Sequence, residues 1–273
     1  MIFFVFIFGL IVGSFLNAVI HRLHTGESIV ARHSRCPRCH HELSAADLIP
    51  LVSFALLRGR CRYCRKPISW QYPAVELATA LSFILIYVSS PSPFLPPAWG
   101  RNFFFSFPPL VGGIEGGGLQ FIASAVFTCF LIIIFVYDLR HYLILDKIIF
   151  PAAALALLYA ILQDRLVEAF LGAAILAGFF GFLFIISRGR WIGFGDVKLG
   201  VFLGLLIPFP ETLVLFFLAY LTGAVVGLLL IASRSKSLRS RLPFGTFLTF
   251  AAFVAMLYGN ELVDWYFGLV GLK

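Results

Sequence analysis

The chain has 273 residues, 60% of them hydrophobic and 12% charged, with a formal net charge of +8. Soluble domains run closer to half apolar and a quarter charged, so composition excludes an ordinary soluble protein and predicts an all-α polytopic membrane protein. The basic excess does not indicate a nucleic-acid binder, because there is no soluble fold to carry a basic surface.

Eight apolar runs are predicted to span a hydrocarbon core of roughly 30 Å, at about 2–21, 73–90, 119–138, 143–162, 166–187, 197–209, 211–232 and 244–266. The first starts at Met1 with no basic residue ahead of it. It holds GSFLN, and no small-residue cleavage site follows, so it reads as a retained helix and not a removed signal peptide. The fourth starts with charged residues, and the sixth is short and bounded by Pro208 and Pro210. Three regions follow: residues 1–90, holding the first helix, a basic Cys-rich loop at 22–72 and the second helix; a Pro/Gly/Phe-rich connection at 91–118; and a block of six helices at 119–266. No fixed-period repeat is present.

Lys and Arg set the orientation. With the N-terminus outside, segments 22–72, 139–147, 188–198 and 233–243 face the cytoplasm and carry 18 of the 21 basic residues. Arg101, Arg165 and Lys273 stay outside. The net charge is thus mainly a topology signal, and anionic lipid headgroups would attract these loops.

The 22–72 loop reads CPRCHHELSAADLIPLVSFALLRGRCRYC over residues 36–64. Cys36 and Cys39 form one C-x-x-C, and Cys61 and Cys64 a second, about twenty residues on. That is the spacing of a four-thiolate zinc site. Two disulfides or a redox role are the other readings, and a reducing cytoplasm disfavours disulfides. With four sulfurs filling the coordination shell, the metal would be structural. Arg35, Arg38, Arg60, Arg62 and Arg65 would offset the negative charge of the thiolates. Cys129, alone in an apolar run, reads as a small core residue.

Acids at membrane depth suggest function by default. Asp138 ends the third run, and Asp196 lies within GFGDVKLG at 193–200, opening the sixth. If Pro208 reaches the outer face, Asp196 is recessed about 10 Å below the cytoplasmic one. Gly193 and Gly195 leave room for another backbone. Both acids belong to the same leaflet. Two carboxylates in contact tend to share a proton, so that one acts as base on a water and the other as acid on a carbonyl oxygen. The bland readings are an Asp138–Arg140 pair or helix end, and Asp196 as an N-cap. A proton-coupled transporter using the same carboxylates is the alternative function, although the matched broken helices of such folds are absent. A zinc-module scaffold without chemistry is the third.

Several motifs occur together in order: GSFLNAVIHRL at 13–23, the double C-x-x-C loop, PISWQYPAVELATA at 67–80, YDLRHYLILD at 137–146, GFGD at 193–196 and RLPFGTFL at 241–248. The set resembles the bacterial type IV prepilin peptidases, which are leader peptidase/N-methyltransferases and GxGD-type membrane aspartyl proteases. The resemblance implies an enzyme of the bacterial cytoplasmic membrane. It would cut the basic leader from type IV prepilins and type II secretion pseudopilins after a glycine, on the cytoplasmic side. It would then N-methylate the new N-terminal residue with S-adenosylmethionine. The catalytic aspartates map onto Asp138 and Asp196, and the Cys loop belongs to the methyltransferase part. Relatives often have Pro where this chain has Leu145, which leaves Asp146 as a possible auxiliary acid. Lys198 is expected to snorkel toward headgroups. Glu27, Glu42, Asp47 and Glu76 could meet a basic leader or the substrate amine; ordinary salt bridges with nearby arginines are the simpler reading. No glycine-rich strand–turn–helix pattern marks a methyl-donor pocket.

Overall fold

A computed structural model describes residues 1–28, 34–89, 117–233 and 242–271. The predicted connection at 91–118 lies almost wholly outside the described residues. The helices are α1 (Ile2–Thr25), α2 (Val52–Leu56), α3 (Gln71–Ser89), α4 (Gly117–His141), α5 (Asp146–Leu162), α6 (Leu166–Ser187), α7 (Phe194–Leu206), α8 (Glu211–Ala232) and α9 (Phe244–Val270), with a 3-10 turn at Ala45–Leu48. Among the described residues there is no strand, only two isolated bridges. Each predicted span has its helix. Six of them, α1, α3, α4, α6, α8 and α9, are long and apolar enough to cross a membrane, and the chain is a multi-pass membrane protein. The other two, α5 and α7, have 17 and 13 residues. A 13-residue helix rises only about 20 Å. It also starts three residues before the predicted boundary, which puts Asp196 inside its first turn.

The chain forms two compact units, Met1–Phe103 with Ile114–Ile133, and Phe104–Gly113 with Ile134–Lys273. In the first, α1 packs on α3. The sequence GLIVG at 9–13 allows this: a Cβ on Gly9 would lie 2.6 Å from the Ala80 Cα, and one on Gly13 would lie 2.7 Å from the Glu76 Cα. The pairing of 9 with 80 and 13 with 76 makes the two helices antiparallel. Small residues four apart let backbones approach where lipid provides no hydrophobic drive between helices.

In the second unit α7 packs on α6 and α5, and α8 on α9. Gly204 of α7 lies on the backbone of Gly172 and Ala173 in α6, with no space for a Cβ. Phe202, Leu203, Leu199 and Phe180 bury the rest of that seam completely. Gly204→Ala must therefore push two backbones apart. It is expected to destabilise the unit by about 3 kcal/mol, read as a lowered thermal midpoint in detergent; an unchanged midpoint would refute this packing.

Candidate functional site

Asp138 sits in the last turn of α4 and is only 4% exposed. Its Oδ2 accepts the Thr246 backbone N–H at 2.8 Å and the Thr246 hydroxyl at 3.1 Å. Thr246 is the third residue of α9, whose N-cap is Pro243. Proline offers no side-chain oxygen to the free N–H groups of a helix start, so Asp138 supplies that acceptor from another helix. Gly245 makes the approach possible, since a Cβ there would lie 3.0 Å from the same Oδ2.

Asp196 is the third residue of α7, and its Oδ2 accepts the N–H of the N-cap Gly193 at 3.1 Å. The N-cap is therefore Gly193 and not Asp196, whose carboxylate reaches back from the third helical position to the N-cap N–H. Each carboxylate thus reaches a helix N-terminus, that of α9 for Asp138 and of α7 for Asp196, where the dipole favours negative charge. Ile144, from the α4–α5 connection, wedges between the two glycines. A Cβ on Gly195 would lie 3.2 Å from the Ile144 Cβ, and one on Gly245 would lie 3.2 Å from its Cδ1. An aromatic cluster, Phe180, Phe216, Tyr220 and Phe244, packs beside the start of α9.

Lys198 departs from the sequence expectation. Its Nζ lies 2.6 Å from the Asp146 Oδ1 and over the rings of Phe150 and Phe194, at 5.6 and 5.1 Å. It engages Asp146 in an ion pair. Ile144, Gly245 and Thr246 lie within the quoted motifs YDLRHYLILD and RLPFGTFL, but the sequence reading gave none of them a role.

Thr246→Val keeps the backbone donor and removes the hydroxyl. If Asp138 takes part in bond cleavage, kcat is expected to fall about tenfold, the worth of one hydrogen bond to a charged group. Unchanged turnover would show the hydroxyl to be a spectator.

The four cysteines of the loop come together. The sulfurs of Cys36, Cys39, Cys61 and Cys64 all lie within 4.8 Å of one another, and the Cys36–Cys64 separation is 4.0 Å. A tetrahedral zinc with bonds of about 2.3 Å needs sulfurs roughly 3.8 Å apart, so the set fits that ion, and all four are free thiols. The two knuckles match: His40 N–H bonds Cys36 O and Arg65 N–H bonds Cys61 O, each at 2.9 Å. His40 and Arg65 both take a left-handed backbone, φ 56° and 55°, which turns each loop back on its first cysteine. Burial opposes ionisation of Cys36, yet the N–H groups of Cys39 and Arg38 lower its thiol to about 7, as suits a metal ligand.

Of the acids near this loop, Glu42 pairs with Arg35 at 2.6 Å and Asp47 with Arg62 at 2.7 Å. For Asp47 burial works the other way, but Ser44 and Arg62 together hold its carboxyl below the usual range. These are the simple salt bridges expected. Glu76 is different: it is 7% exposed and lies in the α1–α3 seam.

The molecule is thus an all-helical membrane protein in which the carboxylates of Asp138 and Asp196 each accept N–H groups at the start of a helix. Residues 7–90 match the bacterial peptidase A24 N-terminal domain, and residues 125–228 match the type IV leader peptidase family. A prepilin leader peptidase/N-methyltransferase of Bacillus subtilis is 33% identical, covering 96% of each chain. Proteins of the same description from Aeromonas hydrophila and Pseudomonas aeruginosa are each 30% identical. They cover 96% and 97% of this chain, and 92% and 93% of their own. No solved structure matches significantly. The chain belongs to the type IV leader peptidase family and is a peptidase and methyltransferase.

Proposed function

We propose that this protein cleaves the basic leader from type IV prepilins and type II secretion pseudopilins, and then N-methylates the exposed residue with S-adenosylmethionine as donor. Supporting this most directly is the placement of Asp138 and Asp196 in one compact unit, each carboxylate at a helix N-terminus. One acid, ionised, takes a proton from a water; the other, protonated, gives its proton to the carbonyl oxygen of the scissile peptide. The amide nitrogen then leaves with a proton as the tetrahedral intermediate collapses. The helix N-termini stabilise the charged acid, and the repulsion between the pair keeps the second one protonated.

Residues 1–90 carry the methyl-transfer part, with a Cys36, Cys39, Cys61 and Cys64 zinc module that is structural. Residues 119–266 carry the peptidase, with 91–118 outside the membrane. The enzyme works in the bacterial cytoplasmic membrane with its N-terminus outside and the acids on the cytoplasmic side. A prepilin suits that placement, because its apolar helix can lie in lipid while its basic leader stays in the cytoplasm. The test is to incubate purified protein in detergent with a prepilin and S-adenosylmethionine, and to weigh the product. Loss of the leader and a gain of one methyl group are expected; an uncut prepilin would refute the proposal.

A further inference from the structure

The α1–α3 seam holds polar groups where apolar ones would pack more cheaply. Asn17, Glu76 and Thr79 are 2%, 7% and 0% exposed. Thr79 bonds back to Val75 O at 2.7 Å, Asn17 Nδ2 donates to Tyr72 O at 3.0 Å, and Gln71 Nε2 donates to Asn17 Oδ1 at 3.3 Å. Two acceptors remain. The Gln71 Oε1 is buried without a partner. The Glu76 carboxylate accepts the Leu51 N–H at 2.9 Å and the Ser14 hydroxyl, but it belongs to none of the ion pairs among the described residues.

A buried carboxylate without a cation costs several kcal/mol. If Glu76 only anchored Leu51, a neutral amide oxygen would accept that N–H without the penalty. A cationic ligand seated beside the carboxylate would offset that cost. The backbone above it is also held out of its preferred region: Leu51, a branched residue, has φ 58°, a conformation costing about 1–2 kcal/mol. That strain aims the Leu51 N–H at Glu76 and lays the stretch between the two cysteine pairs over the carboxylate.

We propose that Glu76 is the general base of methyl transfer, binding the α-ammonium group released by leader cleavage, with Gln71 Oε1 as a second acceptor for it. This rests on the methyl-transfer reading above. A proton passes from the ammonium to the Glu76 carboxylate. The freed nitrogen lone pair attacks the methyl carbon of S-adenosylmethionine, and the carbon–sulfur bond breaks with its electron pair left on sulfur as a thioether. The product is a protonated secondary amine. Without the proton transfer the ammonium has no lone pair to attack with.

The test uses full-length protein in detergent with a pilin already freed of its leader. Glu76→Gln keeps an oxygen for the Leu51 N–H and removes the base. At pH 7 its methylation rate should fall about 100-fold, while cleavage of intact prepilin stays at the wild-type rate. At pH 9.5 the deficit should shrink to about threefold, because a free α-amine deprotonates itself near pH 8. Glu76→Asp should recover part of the pH 7 rate, and calorimetric binding of S-adenosylhomocysteine should stay unchanged in both variants. Wild-type methylation by Glu76→Gln at pH 7, or an equal deficit at both pH values, would overturn the assignment and leave Glu76 an anchor. Wild-type protein that cleaves but never methylates would instead overturn the methyl-transfer reading, and this assignment with it.

Discussion

Asp138→Asn and Asp196→Asn are each expected to leave a folded protein whose prepilin cleavage is slower by about 10³-fold or more, the range set by loss of a general acid or base. Both substitutions spare the structure for the same reason. An asparagine oxygen at 138 can still accept the two bonds from Thr246, and one at 196 can still accept the Gly193 N–H. What each removes is the capacity to exchange a proton. Asp146→Asn supplies the contrast. Its carboxylate is 54% exposed and holds Lys198, and an exposed pair contributes at most about 1 kcal/mol. Cleavage should then slow no more than about fivefold. A variant at 138 or 196 that cleaves at the wild-type rate would remove that residue from the dyad, and an inactive Asp146→Asn would put Asp146 in its place.

Removing metal from the cysteine module is the second large effect. Between residues 34 and 67 only Cys36 and Cys61 are buried, and neither the 3-10 turn nor α2 buries a residue. A segment with no apolar core has nothing but its crosslinks to fold around, and a structural zinc contributes about 10–16 kcal/mol in such cases. Metal analysis should find about one zinc per chain. Chelation, or Cys36→Ser with Cys61→Ser, should collapse amide protection across 34–67 while α1 and α3 stay protected. Protection that survives complete removal of metal would show that the loop is held by something else.

Much of this was legible in the residues because it is local. Most spans announced themselves by long apolar runs, the fourth and sixth less clearly, and the two C-x-x-C pairs carried their own turn geometry. Asp138 and Asp196 stood out because a charge inside an apolar run is rare. Even the short sixth run has its helix, shifted by three residues from 197–209 to Phe194–Leu206; at its start the Asp196 carboxylate accepts the Gly193 N–H and draws the acid into the helix.

The tertiary structure decided which groups meet. Asp138 finds its donors in Thr246, 108 residues further on, and Lys198 finds Asp146, 52 residues back. Ile144 looked like any apolar residue until two glycines from separate helices closed on it. Glu76 looked like one more partner for the nearby arginines, and the Gly9–Gly13 approach of α1 to α3 buried it away from all of them. Hydropathy and motif spacing are properties of neighbours along the chain. The partners of a buried acid depend on the register at which helices pack, and here that register is set by close glycine contacts between segments far apart in sequence.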